Sequence, residues 1–305
     1  MPTYRFFQLD VFTDRPLTGN PLAVFPEATG LDDAQMQALA REMNLSETSF
    51  VFPSKRATRR LRFFTPNAEV PLPGHPTVGT WWLLATLGEL GLPSDGTHQV
   101  TQETQVGVLP LDIHLQGGAP QLVVMTQAPP EFGTTVPDPS RLAELLGGGP
   151  DLIPTQPAPQ IVSTGISQLM IPTASLAALE ALPSGGKGGE LAGYLRALGT
   201  DCAMCYALET RDPDATVHCR MFAPGLGVPE DPATGSASGA LGAYLVRHGI
   251  VLPADGVARV VVEQGLEIGR PSRITVEVTC APDAAITAVR VGGQAVTFIE
   301  GEVRL

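Results

Sequence analysis

Two segments of this chain, "TVGTWWLLATLGEL" (77–90) and "SASGALGAYLVR" (236–247), are apolar around their whole circumference. The first carries no charge before Glu89 and the second none before Arg247. A helix of that kind has to be buried on all sides. Whatever folds around each must therefore enclose it, and the short β-prone segments on either side are the available cover. Each apolar run also follows a polar glycine turn, "GHPTVGT" (74–80) in one case and "DPATGSASG" (231–239) in the other.

The two segments belong to an internal repeat. Arg62, Phe64 and Pro66 match Arg220, Phe222 and Pro224 at an offset of 158. After a three-residue insertion the offset is 161, and Gly74 meets Gly235, His75 meets Ser236, Thr77 meets Ser238 and Gly88 meets Gly249. Upstream, at an offset of 156, Leu39 meets Leu195 and 50–52 meets 206–208. An offset near half the chain is a duplication, since solenoid repeats run roughly 20–50 residues. The expected order in each half is a strand ("YRFFQLDVF"; "QLVVMTQA"), a turn and strand ("TGNPLAVF"; "TGISQLMIP"), an amphipathic helix ("LDDAQMQALAREM"; "GGELAGYLRALG"), further strands, the glycine turn and the apolar helix. Asp32 or Asp33 is the candidate cap of the first amphipathic helix. The expected fold is α+β: two pseudo-symmetric domains, 1–118 and 119–305, each a mixed sheet wrapped around one central helix.

Composition narrows the function. The 305 residues are 43% hydrophobic and 16% charged, with net charge -12, which suits a globular chain and argues against a nucleic-acid partner. Four cysteines make no disulfide framework. The start, "MPTYRFFQLDVF", lacks the pattern of a signal peptide, and no apolar run reaches the ~20 residues of a membrane helix. The expectation is a soluble cytoplasmic protein with no membrane partner.

The glycine turns are where chemistry is expected. A helix N-terminus offers unpaired N–H groups and partial positive charge, and glycine lets a ligand approach the backbone. Two such ends, at Gly74 and Gly235, suit a carboxylate bound in a cleft between the halves. Side chains with chemical capacity lie beside them: His75, Asp231 and Ser236. Glu47, in "NLSETSF", has two readings. It is a carboxylate buried enough for proton transfer, or it completes a capping box with Asn44. Its repeat position holds Ala203, so it has no counterpart in the second half. Asn20, in the "GNP" turn, either lines the cleft or only makes the turn.

"DVFTDRPLTGNPLAVF", "NLSETSFVFP", "FFTPNAEVPLPGHPTVGT" and "DPATGSASGALGAYL" together resemble the phenazine-biosynthesis PhzF-like family of the diaminopimelate-epimerase-like superfamily, from about Phe6 to His248. The resemblance implies two sheet-around-helix domains with the active site between them, and commonly a homodimer. It implies a cofactor-free, metal-free isomerase that moves a proton within a small carboxylic acid in a biosynthetic process. It puts the acid–base glutamate on Glu47, the helix-end histidine on His75, the motif aspartate on Asp231 and the motif serine on Ser236. The carboxylate-binding amides fall at Gly74 and Gly235. The superfamily's epimerases carry a cysteine just before each glycine turn; here those positions are Pro73 and Thr234, so a two-thiol mechanism is absent. The rival readings are a lyase or hydrolase on the same fold, and a non-catalytic carboxylate-binding protein.

Other signals are weaker. "CAMC" (202–205) has metal-like spacing but no second pair, and reads as buried strand thiols. His98, His114, His218 and His248 show no ligand spacing, and His248 suits a helix C-terminus.

Overall fold

The computed structural model describes residues 1–71 and 74–305. It divides into two compact units, 1–126 with 292–305, and 127–291.

In the first unit, β1 (Thr3–Val11) and β2 (Asn20–Phe25) form an antiparallel pair. Helix α1 (Asp33–Met43) then carries the chain to β3 (Glu47–Phe52), which lies parallel to β2. Asp32 caps α1: its side chain accepts from Gln35 N, and the Gln35 side chain accepts from Asp32 N, a reciprocal box that satisfies two donors. β4 (Arg59–Phe64) runs antiparallel to β3, and β5 (Glu69–Val70) antiparallel to β4. Helix α2 (Gly74–Thr86) crosses to β6 (Gly96–Thr104), parallel to β4. β7 (Gly107–Gln116) and β8 (Ala119–Thr126) complete an antiparallel meander.

The second unit repeats this order. β9 (Glu131–Thr135) and α3 (Ser140–Leu146) lead to the antiparallel pair β10 (Gln160–Ser163) and β11 (Ser167–Pro172). Helices α4 (Leu176–Glu180) and α5 (Gly189–Leu198) cross to β12 (Ala203–Ala207), parallel to β11. β13 (Val217–Ala223) and β14 (Val228–Asp231) follow, each antiparallel to its predecessor. Helix α6 (Gly235–Arg247) crosses to β15 (Val257–Gln264), parallel to β13, and β16 (Ser272–Cys280) and β17 (Ile286–Gly293) come next. The chain then re-enters the first unit, where β18 (Ala295–Arg304) pairs antiparallel with β1.

Each unit is thus a mixed sheet around a central helix. Ten of the thirteen residues of α2 and ten of the thirteen of α6 are buried. Strands β1, β2, β3, β7, β8 and β18 all touch α2, and β10, β11, β15 and β16 touch α6. Gly79 shows how tight the fit is. A Cβ there would lie 2.6 Å from Val11 Cγ2 and 2.7 Å from Leu22 Cδ2.

The division differs from the expected 1–118 and 119–305 at both ends. Residues 119–126 form β8, which finishes the first unit's meander, and the last strand returns to β1. The segment 121–128, expected to open the second half, is therefore mostly β8. The strand that precedes β11, as β1 precedes β2, is β10.

The repeat also extends to side-chain interactions. Arg62 forks onto Glu69 with two bonds of 2.7 Å and lies 5.2 Å from the Phe64 ring. Arg220 forks onto Glu230 at 2.9 and 2.7 Å and lies 5.1 Å from the Phe222 ring. The two clamps differ in burial: Arg62 and Glu69 side chains are 15% and 21% exposed, those of Arg220 and Glu230 2% each. Arg220 Nη1 also donates to the carbonyls of Leu179, Glu180 and Leu182. Removing Arg220 takes a donor from a buried carboxylate and from three carbonyls. Arg220→Met is expected to cost about 3–5 kcal/mol, as for other broken buried pairs, and Arg62→Met about 1 kcal/mol or less. Urea unfolding of both variants checks the ranking.

Beside Arg220, the fully buried His218 is held between Glu263 (Nδ1 to Oε1, 2.6 Å) and Glu267 (Nε2 to Oε1, 2.7 Å). Burial opposes charge on this ring, but the hydrogen bonds to Glu267 and Glu263 outweigh it and raise the pKa above 6.5. A raised folded-state pKa stabilises fully below the unfolded value, and that contribution disappears as pH rises through the folded one. The advantage of the wild type over His218→Gln is expected to be greatest below pH ~6.5 and to shrink toward alkaline pH. Melting curves across pH measure it.

Candidate active site

In the first unit the site residues gather where β2, β3 and α2 begin. Asn20 opens β2 and is 1% exposed, and its Oδ1 accepts from Ser46 Oγ at 3.3 Å. Its amide thus lies against the residue that precedes Glu47. Glu47 opens β3 and is paired in register with Leu22. The capping reading of Glu47 does not hold. Asn44 ends α1 in a left-handed conformation (φ 50°), and the segment that follows is a strand, with no helix to cap.

His75 is the second residue of α2, and its Nε2 lies 3.5 Å from Glu47 Oε2. Burial lowers its pKa from 6.5 to about 3, against the opposing effect of a hydrogen bond to the backbone of Pro21. The ring is therefore neutral at neutral pH. Its tautomer follows from Pro21. Proline has no N–H, so the backbone group bonded is the carbonyl and the imidazole donates. Nε2 has no hydrogen-bond partner among the described residues, so the donor is Nδ1 and Nε2 carries a lone pair. That lone pair is on the side of the ring nearest the Glu47 carboxyl. Gly74 is the first residue of α2; Pro73, one of the two positions compared with the epimerase cysteines, lies outside the described residues.

In the second unit the same place is built differently. Asp231 ends β14, and its Oδ2 accepts from Thr234 Oγ1. Gln264, fully buried at the end of β15, donates to the Asp231 carbonyl at 2.7 Å and to Thr234 Oγ1 at 3.0 Å. Thr234, the other position compared with the epimerase cysteines, thus holds the aspartate and caps α6 through its carbonyl, which accepts from Ser238 N at 2.9 Å. Gly235 and Ser236 are the first two residues of α6, whose leading amides have no acceptor within the helix. Ser236 Oγ accepts from Gln168 Nε2 at 3.0 Å, and the Gly235 carbonyl from Gln127 Nε2 at 3.3 Å.

A family profile described as "Phenazine biosynthesis-like protein" matches residues 9–301. The chain belongs to this PhzF-like family. It is 37% identical to an uncharacterised isomerase of Clostridium acetobutylicum, covering 99% of this chain and 98% of that one. It is 35% identical to the trans-2,3-dihydro-3-hydroxyanthranilate isomerase of Pseudomonas chlororaphis, covering 99% and 100%. The crystal structure of a PhzF-family phenazine biosynthesis protein from Bacillus anthracis superposes with a TM-score of 0.91 at 32% identity, covering all of both chains. This PhzF-like chain is accordingly an isomerase acting on a small molecule.

The sequence reading missed Gln168, Gln264, Gln127 and Thr164. Only Gln168 left a signal, as a polar side chain heading the otherwise apolar strand "QLMIP". The four cysteines are buried and free. Burial pushes Cys202 and Cys205 up to about 12, so neither is a ready nucleophile. Among the described residues no group of three or more His, Cys, Asp or Glu is placed to hold a metal, and no helix is long and apolar enough to cross a membrane. His248 ends α6, but burial and the nearby Arg247 lower its pKa, so it does not bring the cation expected at that end.

His75 also sets a pH dependence opposite to that of His218. Below pH ~6.5 an unfolded chain takes up a proton that the buried ring refuses down to about 3. The wild type is expected to lose up to about 1.4 kcal/mol per pH unit relative to His75→Gln over that interval. Acid-limb denaturation of both proteins reads this difference.

Proposed function

We propose that this PhzF-like isomerase moves a proton between two carbons of a small carboxylic acid without metal or cofactor, with Glu47 as its one acid–base group. The observation that carries the reading is the contact of Glu47 Oε2 with His75 Nε2, 3.5 Å apart at the start of a buried helix. The repeat position of Glu47 supports a single base. Glu47 pairs with Leu22 in the parallel strand pair of the first unit, and in the second unit Ala203 pairs with Leu169. Alanine cannot transfer a proton.

The roles follow from the donors and acceptors. Glu47 takes a proton from one carbon and returns it to another on the same face. His75, neutral and with its Nε2 lone pair directed toward Glu47, accepts a hydrogen bond from a substrate N–H or O–H and so keeps the reacting carbon beside the carboxylate. Asp231, held by Thr234, orients the same polar groups. Ser236 and the amides at Gly74 and Gly235 bind the substrate carboxylate at the helix ends. The substrate proposed is of the class named for the Pseudomonas relative, a dihydro-hydroxyanthranilate, and the active form a homodimer.

Glu47→Gln keeps the shape of the side chain but cannot accept a proton near neutral pH. On trans-2,3-dihydro-3-hydroxyanthranilate it is expected to lose ~10²–10⁴ in kcat. Its melting temperature should stay close to that of the wild type, because the side chain is partly exposed and loses no packing. A substrate deuterated at the donor carbon should give product that retains part of its label, since one carboxyl sometimes returns the proton it took. Wild-type turnover by Glu47→Gln would remove Glu47 from the mechanism.

A further inference from the structure

We propose that Gln168 is a positioning residue for substrate binding, fixing Ser236 as a hydrogen-bond donor at the start of α6. The inference rests on the reading of that helix end as the carboxylate site.

Gln168 faces α6 by strand alternation. Leu169 and Ile171 of β11 pack into the core shared with α3, α4 and α5, so Gln168 and Met170 face the opposite side. Gln168 is 1% exposed, and its Nε2 donates to Ser236 Oγ at 3.0 Å. A hydroxyl has one proton and two lone pairs. With one lone pair occupied by an amide N–H, the Ser236 proton is left to point elsewhere. A serine in the first turn of a helix often gives its proton to a nearby carbonyl, as Ser238 Oγ does to Thr234 O at 2.9 Å. Ser236 makes no such bond: among the described residues Gln168 is the one hydrogen-bonding partner of its hydroxyl. The hydroxyl is thus a donor with its proton unspent, beside amides that are also donors.

A second grip holds the same turn. Thr164 Oγ1 donates to Gln127 Oε1 at 2.5 Å, and Gln127 Nε2 donates to the Gly235 carbonyl. The amide of Gln127 fits there because residue 239 is glycine, since a Cβ at that position would collide with Gln127 Oε1. The first turn of α6 is therefore held through the Gly235 carbonyl as well as through the Ser236 hydroxyl.

The repeat supplies an independent argument. Leu22 and Leu169 occupy the same place, each pairing with the first residue of the next parallel strand. The residues just before them are Pro21 and Gln168. His75 and Ser236 are likewise the second residues of α2 and α6. In the first unit the residue before the leucine orients the helix-end side chain through its carbonyl, which accepts from the imidazole N–H and leaves Nε2 an acceptor. In the second unit it does so through a side-chain amide, which donates an N–H to the hydroxyl and leaves Ser236 a donor. One strand position thus sets the polarity of each helix end, and Gln168 sets it for an anion.

The test is a double-mutant cycle read by anthranilate binding and by turnover of trans-2,3-dihydro-3-hydroxyanthranilate. Gln168→Met keeps length and removes the donor. It is expected to raise the anthranilate Kd and the KM about tenfold with kcat little changed. In a Ser236→Ala background the same substitution should change Kd by less than about twofold, the non-additivity expected of residues in direct contact. Gln168→Glu should bind sulfate weakly near neutral pH and more tightly as the pH falls, because only the protonated carboxyl donates to Ser236. Should Gln168→Met not fold, Gln168→Asn, whose amide is withdrawn by one methylene, carries the same cycle. Equal losses with and without Ser236 overturn this inference alone. Wild-type protein that binds neither anthranilate nor sulfate overturns the carboxylate reading and this inference with it.

Discussion

A helix without a charged face has to be enclosed, and the rest of the molecule follows from enclosing two of them. α2 and α6 gain stability from apolar surface removed from water on every side, so each needs a sheet that curves around it. The order strand, parallel crossover, antiparallel return and second parallel crossover supplies that sheet twice. Enclosure has a consequence at one end only. The leading amides of a buried helix need acceptors, and a turn of glycine and small polar residues leaves them reachable. The feature that makes the fold stable thus also provides the helix ends at which the proposed function places an anion.

The two units kept what the scaffold needs and diverged where chemistry is expected. The Arg–Glu–Phe clamp, which joins β4 to β5 in the first unit and β13 to β14 in the second, survives in both, with nearly equal ring distances of 5.2 and 5.1 Å. It ties the strand that precedes each glycine turn to the one that leads into it, so its loss would shift the turn. Against that constancy stand three pairs at matching positions: Glu47 and Ala203, His75 and Ser236, Pro21 and Gln168. All three lie at the start of a central helix or of the strands beside it. The frame is thus alike in the two units, while these three positions differ in what they can donate or accept.

Much of this was legible in sequence because it depends on local pattern. The apolar helices, the Asp32 cap and the offset of the clamp residues all come from short-range spacing. What was not legible depends on distant pairing. Nothing in "AVTFIEGEVR" says that it returns to β1 rather than to the strand before it, so the boundary at 118 missed both β8 and β18. Asn44 and Glu47 fit a capping box by spacing alone. The left-handed conformation of Asn44, which ends α1, turns that spacing into a helix stop followed by a strand. Gln168 and Gln264 were invisible for another reason: glutamine carries no chemistry that a spacing rule detects, and its role here is set by which hydroxyl it meets across the fold.

Under the proposed mechanism one carboxylate is enough. A racemase must approach a carbon from both sides and needs two bases. An isomerase that shifts a proton along one face needs a single base that reaches both carbons. Thr234 shows how the second position is used instead. Its hydroxyl is committed to Asp231 and its carbonyl to Ser238 N, so the position that the sequence resemblance sets against an epimerase cysteine here fixes the geometry of a carboxylate. A neutral His75 fits the same scheme. Under the proposed mechanism a neutral ring can accept a hydrogen bond from a substrate N–H or O–H, which an imidazolium cannot.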